Sequence, residues 1–526
     1  MLKKYALSIT SLLLLLIYNY FFWNEKPGIN FGIFSTLLAV SLALARPEII
    51  YRTNWWFAVM CVILTGIGVT LFNSGLSIAM HFFSCLVMIV FSWPSNVKSP
   101  AIAIFNFFAG AFNQVLAFFL NGIKFISKTK SGRTILYYFK IVIAPLVIMG
   151  IYLLLYSGSS NTFASYFNGF FTTIGELIES FFENVSAPWL VFLLGGMTLI
   201  ALALKTPPAI RALNYLTEGF DDLFRLNKSV KTVSGFRQLI YRPVIPMNAI
   251  RKQFKSGVVL LIGVNILLLI FNITDIKENW FGYQVPENFS LKYFVHEATW
   301  YLIISMLLSI VILLYYFHGN LNFYKKNKTI KILSYVWIFQ NTLLCISVLL
   351  RNWHYISYHG LAYKRIGVLV FLALVIVGLI SMYKKIEKRK SAKWLLKINS
   401  VACALMLSCL SLVNWDQVIA KYNLNHANSS EIDVDFYLKL GPAVYPLLYE
   451  NMAVIEKQII AHHAKPTRWC NIKTIQEFRS RLNTIASSFT EVYPQYKWPS
   501  YNIAEASSYK WLTTQEENLK LSEAVK

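Results

Sequence analysis

The hydrophobic positions of this chain fall in long runs separated by short polar segments. A half-buried strand would alternate, and a surface helix would show one apolar stripe. About twenty apolar residues, at 1.5 Å rise each, cross the roughly 30 Å of a bilayer's hydrocarbon. Backbone in that hydrocarbon must be helical, because an unpaired peptide group there costs several kcal/mol. The pattern predicts about 11 spans, near 5–23, 28–45, 55–72, 76–93, 135–156, 189–204, 257–273, 294–317, 332–350, 366–382 and 394–412. The expected fold class is all-α: a polytopic transmembrane helix bundle over 1–413. A small helical extracytoplasmic region follows over 414–526, with helices expected at 434–440, 443–463 and 472–490.

Two aromatic stretches complicate the count. Residues 101–125 are apolar enough to span, but Asn106, Asn113 and Asn121 draw a narrow polar stripe along them. Residues 162–185 carry Glu176, Glu179 and Glu183. Both read as helices lying in the interface; were both to cross, two spans would be added. The start, Lys3-Lys4 and the run to Trp23, is similar to a signal peptide. No small-residue cleavage site precedes Asn24, so it reads as an uncleaved first span.

Composition agrees with the pattern. The chain is 56% hydrophobic and only 14% charged, against about 25% charged in soluble domains. Its net charge of +24 is spread over alternate loops, which excludes a nucleic-acid footprint and reads as topology. With the amino terminus inside, the inner segments carry twenty-nine Lys and Arg and the outer loops before the tail only six. An odd span count then places the carboxyl terminus outside.

No P-loop, dinucleotide fingerprint, zinc-protease or nucleophile-elbow motif occurs. No cofactor and no metal are expected. His462-His463 with Cys470 lack an evident fourth ligand and read as surface residues. Five of the six cysteines lie in apolar runs, leaving Cys470 alone in the tail, so no disulfide framework exists there.

The outer face gathers more chemistry. Asn265, Asn272 and Asp275 mark the outer half of the seventh span, and His296 and Glu297 open the eighth. Gln340, Ser347 and Arg351 share one face of the ninth. Arg365 opens the tenth and Asp416 follows the eleventh. The candidate site is therefore Glu297, Arg351, Arg365 and Asp416, with Gln340 and Asn341 beneath them. Such a cluster is either a salt-bridge network holding helices together or a binding site for an anionic ligand.

The motifs N-L-N-F at 320–323, W-I-x-Q-N at 337–341, R-N-x-x-Y-I at 351–356 and G-L-x-Y-K-R-I-G at 360–367 stand in one stretch, and N-W-D-Q-V-I-A-K-Y-N-L occupies 414–424. Together they resemble a family of bacterial multi-pass membrane proteins, of Bacteroidetes type, described only as a domain of unknown function. The resemblance implies a bacterial cytoplasmic (inner) membrane location, covers the first span to about Leu424, and brings no activity. Ala362 stands where related sequences often have Thr. The leading expectation is a non-enzymatic membrane protein that binds or senses a ligand, or acts as a scaffold, at its outer face. Its partners would be membrane lipids and an anionic ligand. The alternatives are a transporter of a small polar or anionic solute, and a membrane-embedded enzyme acting on lipid or envelope polymer with Glu297 or Asp416 as base.

Overall fold

A computed structural model describes residues 2–94, 97–126, 172, 186–204, 221–223, 247–280, 291–317, 320–426, 432–463 and 471–524. Among them the chain is all-helical; the only extended pairing is an isolated bridge between Asp222 and Lys390. The expected span 135–156 lies outside the described residues, as does all of 162–185 except Thr172.

The first group of helices is α1 (Leu2–Phe22), α2 (Ile29–Ala45), α3 (Thr53–Phe72), α4 (Gly75–Ser92), α5 (Pro100–Ile126) and α6 (Ala187–Leu204). They enclose one core, with Leu38, Leu42, Met88, Ile89 and Trp93 at its centre. The second group is α7 (Met247–Asn279), α8 (Leu291–Tyr316), α9 (Lys328–His359), α10 (Tyr363–Glu387) and α11 (Ala392–Leu410). Its own core holds Met306, Leu344, Val348, Leu379 and Met382. α11 joins the two, packing on α10 and also on α3, α4 and α5. Among the described residues six helices are long and apolar enough to cross a membrane: α3, α4, α7, α9, α10 and α11. Four shorter apolar stretches lie in α1, α2, α6 and α8. Outward faces stay greasy, as Leu267 and Ile270 of α7 show at 69% and 58% exposure, which suits lipid contact rather than water.

The helix ends sort into two sets. At one end, basic side chains cap helix C-termini. Arg46 donates to the Leu204 carbonyl at the end of α6 (2.9 Å) and Arg52 to the Trp93 carbonyl beyond α4 (2.6 Å). Buried Lys385 donates to the Phe317 carbonyl beyond α8 (2.6 Å). Each cation meets orphan carbonyls and the negative pole of a helix. Nearby, Asp222 pairs with Lys390 and Asp221 with Lys397.

At the other end sits the tail: α12 (Trp415–Asn425), α13 (Tyr445–Glu450), α14 (Met452–His463), α15 (Ile475–Val492) and α16 (Ile503–Ala524), linked in part by 3-10 turns. Its core includes Ile419, Tyr437, Leu448, Ile455 and Phe478. Burial pushes the Tyr437 phenol up, keeping it a donor to Gln458 Oε1 (3.1 Å). Three loops of the helical bundle meet the tail. Residues 25–29 bond to 497–501, with the Ile29 amide on the Tyr501 carbonyl (2.9 Å) and the Ser500 hydroxyl on Glu25 (2.6 Å). Asn73 donates to Glu505 (3.2 Å). Asn423 grips Leu361 by both backbone groups, accepting from its amide (2.6 Å) and donating to its carbonyl (3.0 Å).

Three expectations for the tail need correction. Residues 434–440 form a 3-10 helix, Val434–Lys439, in place of an α-helix. The single helix expected over 443–463 is a 3-10 turn and two α-helices, with Asn451 leaving helical geometry between α13 and α14. Two helices were overlooked, α12 and α16, because neither carries a long apolar run.

The Asn423 clamp predicts a measurable loss. Gly360 adopts φ +78°, and an added Cβ would stand 2.5 Å from Asn423 Oδ1; only glycine suits this turn. Asn423→Ala should expose the 360–362 loop and destabilise tail docking by about 1–3 kcal/mol, the cost of stranding the two backbone groups. Faster amide exchange at Leu361 and over α12 would be the readout; unchanged exchange would show that the clamp does not hold the tail.

Candidate functional site

The polar residues on α7 and α9 meet face to face. Asn265 donates to the Leu333 carbonyl (3.1 Å) and accepts from Gln340 Nε2 (2.9 Å). Asn272 donates to the Gln340 carbonyl (3.2 Å). One turn further, Asp275 accepts from Ser347 and forms an ion pair with Arg351. The pair is almost dry, at 2% and 7% exposure. The spacings of seven and three on α7 and of seven and four on α9 place all six side chains along one helix–helix seam. Asn341 stands apart, donating to the Trp337 carbonyl of its own helix (2.8 Å).

The expected meeting of Glu297, Arg351, Arg365 and Asp416 takes a different form. Arg351 finds Asp275, a residue recorded in the sequence pattern but not placed in the candidate set. The Glu297 side chain lies outside the described residues. Arg365 turns back onto the α9–α10 loop: it donates to the His359 carbonyl (2.9 Å) and the Gly360 carbonyl, and lies 4.3 Å over the Tyr355 ring. Asp416 takes the Tyr363 hydroxyl and the Gly441 amide (2.8 Å), and pairs with neither arginine. Geometry explains the separation. Arg351 sits two turns below the end of α9, while Arg365 and Asp416 serve the turn and the tail above it.

A cavity of about 670 Å³ lies where the two helix groups and the tail come together. One wall is the α3–α4 turn, from Phe72 to Leu76. The opposite wall is a face of α10, Ile366, Val370, Phe371 and Leu374, and Leu407 and Leu410 of α11 stand behind. The roof is the tail: Trp415, Asp416, Lys439, Gly441 and Glu505. From Tyr363 to Leu374 the α10 face runs about 16 Å at 1.5 Å per residue. The cleft is therefore apolar along the helices and polar under the tail. Gly75 and Gly367 line it, are exposed, and have nothing within 4 Å of an added Cβ, so the cleft has an open side. Its volume falls within the roughly 300–1,000 Å³ of small-molecule sites. Nothing in the sequence pattern announced it, because its walls come from five separated segments.

Among the described residues no group of three His, Cys, Asp or Glu could hold a metal. His462 is buried at 2% exposure rather than at the surface as expected; Cys470 lies outside the described residues. His81, in the middle of α4, is enclosed between the Thr65 hydroxyl (3.1 Å) and the Phe31 carbonyl (3.2 Å).

Helices of membrane-crossing length, a polar seam buried between two of them and a helical tail seated on one end define a membrane-type helical bundle with a helical cap. The chain belongs to the family described as domain of unknown function DUF4153, whose sequence model matches residues 59–451. The match begins in α3, later than the first-span start that the resemblance implied, and ends at Asn451 after α13, past Leu424. No curated protein and no solved structure matches the chain. Two of the quoted sequence motifs meet here: G-L-x-Y and N-W-D-Q-V-I-A-K-Y-N-L dock on one another through Leu361–Asn423 and Tyr363–Asp416.

Breaking the α7–α9 ion pair should be costly. Arg351→Ala takes the guanidinium away from the buried Asp275 carboxylate and should destabilise the protein by up to about 3–5 kcal/mol. Arg351→Met with Asp275→Asn should recover most of that loss. Thermal unfolding of purified protein in detergent reads both. Equal losses in the single and double variants would show that the pair is not a coupled unit.

Proposed function

We propose that this chain is a multi-pass integral protein of a bacterial cytoplasmic membrane, with its amino terminus inside and its tail outside, that binds an amphiphile in the cleft beneath the tail. The cleft carries the reading: an apolar groove along α10 and α11 continues into polar groups from the tail, and one side is open. Such a gradient matches a molecule with one end for lipid and one for water. The orientation draws support from twenty-nine basic residues on one set of loops against six on the other. The basic caps Arg46, Arg52 and Lys385 all stand opposite the tail. Of the two carboxylates on the cleft, Asp416 has one oxygen on the Tyr363 hydroxyl and the other on the Gly441 amide, and so ties the tail to the bundle.

The test uses the full chain in vesicles with a phospholipid bearing a photoreactive group on its acyl chain. Labelling should concentrate on 366–374 and 407–410, and Gly367→Trp, which fills the open side, should remove most of it. Labelling on the lipid-facing side of α7, around Leu267, should be unchanged. Equal labelling of the cleft in the variant and the parent would overturn the reading.

A further inference from the structure

Resting on the amphiphile reading, the rim of the cleft carries its own information. Lys439 is exposed there and makes no ion pair among the described residues. Glu505 enters from the first turn of α16, where Asn502 caps its amide (2.9 Å). Its Oε1 accepts from Asn73 (3.2 Å), and Oε2 carries no hydrogen bond among the described residues. Asn73, at the end of α3 with φ 49°, has a buried amide oxygen with no hydrogen-bond partner among the described residues. Asp416, the third charge on the rim, has both oxygens occupied. The rim thus offers a lysine in no ion pair among the described residues, its charge also acting on Asp433, together with an anionic oxygen next to an unfilled amide acceptor.

We infer that the cleft takes a glycerophospholipid whose headgroup pairs a phosphodiester with a primary ammonium, the phosphate on Lys439 and the ammonium on Glu505 beside Asn73. The charges select this class. A headgroup with net negative charge would meet two carboxylates against one lysine. A purely cationic amphiphile would leave Lys439 opposite a like charge. A quaternary ammonium has no N–H for Glu505 and Asn73 to accept, whereas a primary ammonium has three donors. The polarity of the cleft agrees: the chains of an outer-leaflet lipid would lie along α10 and its headgroup under the tail.

Native mass spectrometry of the full chain tests this, after equilibration with equal amounts of ethanolamine-, choline- and glycerol-headgroup phospholipids of identical chains. The ethanolamine lipid should be retained about tenfold over the other two, the ratio expected from one added charge-assisted hydrogen bond. Glu505→Gln keeps the acceptor for Asn73 and should erase the preference over the choline lipid. Lys439→Met should weaken retention of all three. Gly367→Trp separates the two levels of the account. If it lowers retention of every lipid but the three headgroups compete equally, the cleft binds amphiphiles and the headgroup assignment is wrong. If it changes retention of none, the amphiphile reading itself fails.

Discussion

Away from water, a polar group without a partner costs several kcal/mol, and most of this molecule obeys that single constraint. The basic residues at one end are carbonyl caps: Arg46 on α6, Arg52 beyond α4, Lys385 beyond α8. Six polar side chains on α7 and α9 close one seam instead of facing lipid. At the far end the same demand binds the tail to the bundle, since the turn at Gly360 and Leu361 satisfies its backbone groups on Asn423. The cleft exists because that roof is held in place.

The apolar runs were legible because membrane burial is written in composition alone. The helices prove longer than the runs where polar residues continue them: α9 extends to His359, beyond the apolar run ending at 350, and α7 begins at Met247, before the run starting at 257. Helical phase also placed Gln340, Ser347 and Arg351 on one face, as the seam requires. Phase says nothing about the partner helix, so the sequence points to Glu297 and Asp416 as partners for Arg351 and leaves Asp275 out of the candidate set. Proximity across helices is a tertiary fact, decided here by α7 packing on α9.

The cleft was illegible for the same reason, more strongly. Its walls come from 72–76, 363–374, 407–416, 439–443 and 505, and no local pattern links them. The quoted motifs at 360–367 and 414–424 lie nearby, and their sequence does not say why. Gly360, Leu361 and Tyr363 look like loop residues and Asp416 and Asn423 like ordinary helix residues until they meet across the bundle–tail junction. Their contacts give these residues a docking role that requires no chemistry of them.

The account depends on the tail being seated over the α3–α4 turn in the membrane. The direct measurement is thiol crosslinking in native membranes, on a chain whose own cysteines are replaced, with Asn73→Cys and Glu505→Cys introduced together. A short bifunctional thiol reagent should join the two positions as efficiently as a control pair inside the tail, Tyr449→Cys with Asn483→Cys, whose parent side chains touch at 2.8 Å. Crosslinking of the control pair alone would mean that the tail does not roof the cleft, and would contradict the account.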